Sequence, residues 1–240
     1  MSFQVRQRLL GVCGVLSAAA LMNTVPSAQI SVDSGLRIDV PARSMKDLRD
    51  QNLVKQRFDF SCGAAALATL LRYGLGDAVT EGQILTDLFN RLSDDEKAVV
   101  RRTGFSLLHL QRVAQGRNYN AQGFRLEPEE LSMLDGPVLV FIEPRGYKHF
   151  AVLRGVRGDR VYLADPSRGN VRMPVYTFLD SWLQDDGKGI IFVVEPKTGL
   201  PGATSVLTPP SKGRLHPEVM TAREMLAVGN PLLRLPEHSR

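Results

Sequence analysis

Cysteine is scarce in this chain of 240 residues, which carries two, Cys13 and Cys62. Cys13 falls inside an N-terminal stretch that reads as a cleavable export signal, so the mature chain is expected to keep Cys62 alone. A lone thiol excludes a disulfide framework within the chain. Runs of like charge are also missing. The net charge of +5 is spread evenly, which gives no case for nucleic-acid binding. Histidine occurs four times, as His109, His149, His216 and His238. None is spaced with other ligands as a metal site requires, and no cofactor motif stands elsewhere. There is no internal repeat. Beyond the N-terminus there is no apolar run of the ~18–20 residues a membrane span needs.

What is present begins with that N-terminal stretch. Arg6 and Arg8 precede an apolar segment over residues 9–22, and the small-residue stretch Val25-Pro26-Ser27-Ala28 stands just before Gln29. This is the order of a secretory signal. An uncleaved anchor is the alternative, disfavoured by the short apolar segment. The expectation is a signal peptide over 1–28, a periplasmic location and no integral membrane span after cleavage. Loss of Arg6 and Arg8, with no acid, takes the formal charge from +5 to +3.

Residues 29–50 are polar and without periodic patterning, and read as an N-terminal arm. Residues 51–195 read as one domain. Leu67, Leu70 and Leu71 at helical spacing predict a helix over 61–73, ended by Gly74 and Gly76. Thr80 with Gln83 resembles a capping box opening a helix to about 91. Residues 106–115 form a third helical candidate. The period then changes: residues 137–142, 149–156, 160–164 and 190–194 read as strands, with Gly158-Asp159 as a hairpin turn and a short helix over 174–183. Helices first and antiparallel strands second make an α+β fold. Residues 196–240 form a Pro- and Gly-rich tail with one short amphipathic helix near 216–228.

Cys62 stands at the head of the first helix, with Ser61 as the expected N-cap. Orphan amides and the positive end of the helix dipole stabilise a thiolate there, the form that attacks. The helix is also strongly apolar, so a buried structural cysteine remains open as a reading. A nucleophilic cysteine needs a base, and His149 opens an apolar strand where it can face a cleft. Asp165, in Ala164-Asp165-Pro166, ends the next strand. If the two strands pair as a hairpin, His149 and Asp165 lie at the same sheet edge, where the carboxylate can orient the imidazole. Asp-Pro is equally an ordinary turn. Gln56, six residues before Cys62, could share oxyanion stabilisation with the Cys62 amide; taken alone it says little. His109 reads as a helix-surface or packing residue.

Gln56, Cys62-Gly63, His149 and Asp165-Pro166, in this order, resemble the C39 family of papain-like cysteine peptidases, which remove leader peptides from bacteriocin precursors. Gly104-Phe105-Ser106-Leu107 and His149-Phe150-Ala151-Val152 also look like the family, and the likeness covers about residues 54–194. It implies a papain-like arrangement of N-terminal helices on a C-terminal antiparallel sheet, with Cys62, His149, Asp165 and Gln56 as catalytic residues. It also implies a polypeptide substrate. Transporter-fused members commonly have Asp before the cysteine, where Ser61 stands here; Phe-Ser-Cys-Gly is common in the free-standing exported branch. That branch is similar to proteins of the functional-amyloid secretion system of pseudomonads, which makes a secretion-system or amyloid component the implied partner. A peptide-binding module without catalysis, and a papain-like amidase or acyl transferase, are the alternatives.

Overall fold

The computed structural model describes residues 27–31, 37–41, 44–198 and 205–209. The first two segments are strands β1 (Ser27–Ser31) and β2 (Arg37–Pro41), which pair antiparallel from Ser27↔Pro41 to Ser31↔Arg37. They add a strand pair to the N-terminal arm of residues 29–50, and Ala28, Ile30, Ile38 and Val40 alternating with polar neighbours are its period-two signal. The export signal lies outside the described residues, apart from Ser27 and Ala28, which open β1. The tail helix near 216–228 lies outside them entirely.

The larger unit begins at Ser44, whose side chain caps the short helix α1 (Met45–Arg49). Helix α2 (Cys62–Thr69) is buried at every position, so it has no solvent face. Its alanines and Gly63 let it lie tight against its neighbours. A Cβ on Gly63 would stand 3.1 Å from Phe150 and 3.3 Å from Leu110. The chain then widens into a π-turn over Leu70–Gly74. Helix α3 (Glu81–Phe89) starts with the expected capping box between Thr80 and Gln83. Helix α4 (Asp94–Thr103) has its own, Ser93 with Glu96, and buries only Val100. Helix α5 (Leu107–Gly116) follows.

Six strands make the sheet: β3 (Tyr119–Leu126), β4 (Val138–Ile142), β5 (His149–Arg157), β6 (Arg160–Asp165), β7 (Gly169–Pro174) and β8 (Gly189–Pro196). Their order is β3-β8-β4-β5-β6-β7, and all pairs are antiparallel. Helix α6 (Val175–Trp182) connects β7 towards β8. The fold is α+β, as expected. The central strands are apolar on both faces because both are covered. Leu139, Phe150, Val152, Ala164 and Phe192 point towards α2, α3 and α5, while Val138, Val140, Ala151, Leu153, Val161 and Leu163 point towards Phe178 and Trp182 of α6. Residues one apart fall into different cores, which is the period-two signature of a strand.

Gly158 at φ 56° makes the tight β5–β6 turn. Leu207, in the tail, is fully buried in the helical core, and its carbonyl accepts from Arg154 Nε at 2.6 Å. Ser205–Pro209 thus packs on the same unit as the sheet.

Candidate active site

The β5–β6 hairpin places the ends of its strands together. His149 opens β5 and Asp165 closes β6, and His149 Nε2 lies 3.0 Å from Asp165 Oδ1. Cys62 acts on the same imidazole and favours its charged form. Because Nε2 is committed to Asp165, Nδ1 is the nitrogen left for sulfur. Cys62 is a free thiol at the first position of α2, and all three groups are buried, at 5%, 4% and 0% exposure.

Burial pulls the His149 imidazole down, but Asp165 and Cys62 outweigh that and push it up to about 9. It is therefore an imidazolium at neutral pH. Burial pushes Asp165 up, yet His149 and then Arg168 hold its carboxyl well below the usual carboxylate range. The donors explain this. Asp165 Oδ1 accepts from Ser167 N at 2.8 Å, Ser167 Oγ at 2.8 Å and Arg168 N at 3.1 Å, in addition to His149; Oδ2 accepts from Arg168 Nε at 2.7 Å. A carboxylate with that many donors stays ionised even when dry.

Gln56 is tied to the same loop, since its backbone N–H donates to Pro166 O at 3.1 Å, and Lys55 Nζ donates to Ser167 O at 2.6 Å. Its side-chain Nε2 donates to Phe58 O at 3.0 Å, while Oε1 is buried with no partner among the described residues. Ser61 sits at the N-cap position but makes no side-chain cap bond. This corrects the expected capping role. Its hydroxyl lies 2.6 Å from Glu81 Oε1 and 2.8 Å from Phe58 O, and accepts from Phe58 N.

A cleft of about 700 Å³ opens on Cys62, walled by Phe60, Phe105, Leu107, Phe141 and Tyr147. Neither His149 nor Gln56 forms part of its wall. Tyr147 reaches across to donate from its hydroxyl to Asp59 O at 3.1 Å. Arg102 and Lys148 add positive charge to the cleft. An apolar, aromatic trough with a buried thiol at its floor can hold an extended or helical peptide segment beside the sulfur.

His109 is the third residue of α5, where its Nδ1 accepts from Ser106 N and its ring packs edge-on to Phe105. It packs, as expected, and also closes the capping box of α5, which was not expected. Among the described residues no group of three or more His, Cys, Asp or Glu could hold a metal, and no helix is long and apolar enough to cross a membrane. Sequence reasoning missed Glu81, Arg168 and Tyr147. Arg168 had a signal, three residues after an Asp at a strand end; the burial of Glu81 had none.

With this geometry in view, comparison with known proteins is decisive: the Peptidase C39 family matches residues 50–198. The chain belongs to that family. It is 36% identical over 184 residues to a probable functional amyloid protease, FapD, of Pseudomonas aeruginosa, covering 77% of this chain and 74% of that protein. The FapD of Pseudomonas fluorescens is 36% identical over 181 residues, covering 75% and 76%. Among solved structures, a double glycine motif protease from an AMS/PCAT transporter, in complex with its leader peptide, is 27% identical over 60% of this chain and 90% of that one, with a TM-score of 0.44.

Proposed function

We propose that this C39 peptidase is exported to the periplasm and cleaves a polypeptide of a secretion system, with a functional-amyloid component as the favoured substrate. The buried line Cys62–His149–Asp165, running back from the Cys62 floor of an apolar cleft, carries the reading. The name of the two FapD relatives supports the amyloid assignment, and the signal-like N-terminus supports export. In the reaction, Cys62 sulfur attacks the scissile carbonyl carbon. The Cys62 amide and the Gln56 side chain are the donors assigned to the charge that develops on oxygen. His149, as the imidazolium, hands its proton to the departing amine, and the C–N bond breaks to leave a thioester. Water, deprotonated by His149, then adds to the thioester, the C–S bond breaks to release the acid, and the Cys62–His149 pair returns to its starting state. Asp165 keeps the ring in place throughout. Small residues before the scissile bond suit a trough bridged by Tyr147 and Asp59.

The test is iodoacetamide labelling of the purified chain between pH 4 and 9, read by intact mass. Cys62 is expected to react at pH 6 at least ~10-fold faster than an unpaired thiol, and His149→Ala to remove the advantage. An ordinary thiol profile in both proteins would instead leave a peptide-binding module.

A further inference from the structure

Glu81 is a buried carboxylate that the mechanism does not use. It is 3% exposed, and its Oε2 has no partner among the described residues. It is not needed to start α3, because the Thr80–Gln83 box already caps that helix. Its other oxygen reaches out of the helix to the turn that precedes the nucleophile: Oε1 accepts from Arg57 N at 3.0 Å and lies 2.6 Å from Ser61 Oγ.

That turn is wired through one carbonyl. Phe58 O accepts from Ser61 N at 3.1 Å and from Gln56 Nε2 at 3.0 Å, and it lies 2.8 Å from Ser61 Oγ. A serine hydroxyl has one proton to give. The Glu81 oxygen at 2.6 Å is nearer than the Phe58 carbonyl at 2.8 Å, so the proton goes to Glu81. Phe58 O is then left to the Gln56 amide and the Ser61 N–H. Without the carboxylate, the hydroxyl turns to Phe58 O and competes with Gln56 for it.

Resting on the peptidase reading above, we infer that Glu81 is a positioning residue for the oxyanion-binding side of the site, acting through Ser61 and Phe58 O to fix the Gln56 side-chain amide. It touches no reacting atom. Its acceptor oxygen selects which donor holds one carbonyl, and through that the aim of a second amide group six residues before the sulfur.

Two probes that differ in one respect test this on the full chain. 4-Nitrophenyl acetate forms a C–S bond to Cys62 through a tetrahedral oxyanion and expels 4-nitrophenolate, so its burst reads oxyanion binding. Iodoacetamide forms a C–S bond by displacing iodide, with no oxyanion, so it reads the thiolate alone. Glu81→Ala is expected to slow the nitrophenolate burst by ~10- to 100-fold, no more than loss of an oxyanion donor does, and to change alkylation by less than ~2-fold. Glu81→Gln, which keeps an acceptor and the volume, should recover most of the burst. On a Gln56→Ala background, Glu81→Ala should add no further loss, because both act through one amide. Ser61→Ala removes the competing hydroxyl, so it should leave the burst within ~2-fold of native and should cancel the loss caused by Glu81→Ala. A parallel fall in burst and alkylation, or additive losses in the double variant, would overturn the inference. A native chain with neither a burst nor fast alkylation would remove the peptidase reading and this inference together; a native burst unmoved by Glu81→Ala would remove this inference only.

Discussion

Asp165 and Glu81 are both carboxylates closed off from solvent, at 0% and 3% exposure, and each lies one layer behind a residue of the site. Their surroundings differ. Asp165 takes five donor contacts, with both oxygens occupied and a cation on one of them. Glu81 takes two on one oxygen and leaves the other bare among the described residues. The first arrangement belongs to the sheet side, where backbone amides of the turn after β6 converge on the carboxylate. The second belongs to the helical side, where α2 is held mainly by packing, with Ser61 at its head tied to Glu81 and Thr69 at its end accepting from Val54 N at 3.0 Å. Charge organises one wall of the cleft and close packing the other.

Breaking the sheet side should produce the largest effect. Asp165→Asn keeps the shape but offers His149 an amide that favours the wrong tautomer, and peptidase or ester-burst rates should fall by ~10³–10⁴. The His149 imidazole should also drop from about 9 towards its ordinary value, which histidine NMR titration reads directly. An unchanged titration would show that Cys62, not Asp165, holds the ring up.

The same pair should shape stability against pH. Asp165, lowered when folded, contributes stability that is fully present above its ordinary 3.8 and lost as pH falls below it. His149, raised when folded, contributes stability that is full below 6.5 and lost as pH climbs through about 9. Urea midpoints should therefore be flat between about pH 4 and 6.5. The alkaline fall should be on the order of 3 kcal/mol, from ~1.4 kcal/mol per pH unit. His149→Ala should remove it.

Much of this was legible in the sequence, for stated reasons. The central strands announce themselves because both faces are apolar, and Gly158-Asp159 marks the turn that brings His149 to Asp165. The missed strands β3 and β7 are the two edges of the sheet. In β3 only Ala121 is buried, so no alternation was there to read. Helix α4 was missed for a similar reason, with Val100 its one buried residue, though Ser93 and Glu96 spelled its capping box. The positions of Cys62, His149 and Asp165 were readable as residue types at element ends. Glu81 was not: an acid in a first helical turn looks like a dipole partner facing water, and its burial depends on where the turn at residues 57–61 lands in space.

Packing on the helical side can be broken without touching charge. At Gly63 a Cβ would meet Phe150 at 3.1 Å and Leu110 at 3.3 Å, so Gly63→Ala forces α2 off β5 by a few tenths of an ångström. Such overpacking costs ~1–3 kcal/mol, measurable as a lower urea midpoint. Because the shift separates Cys62 from His149, alkylation at pH 6 should fall more than stability alone explains. Equal falls would mean that the wall moves as a unit.

Arg168 gives the smallest effect and the finest contrast. Its side chain is 48% exposed, although the Asp165 it pairs with is wholly buried. A half-exposed partner is screened by water, and such pairs contribute ~1 kcal/mol or less. Asp165 keeps four other donor contacts on Oδ1 when the guanidinium is gone. Arg168→Met should therefore cost under ~1 kcal/mol and slow the ester burst by less than ~10-fold, with the loss shrinking as salt is added to the native chain. If Arg168→Met instead approached Asp165→Asn in effect, the backbone donors of the turn would not be sufficient to hold the carboxylate. The sheet wall would then depend on a surface cation as the helical wall depends on Glu81.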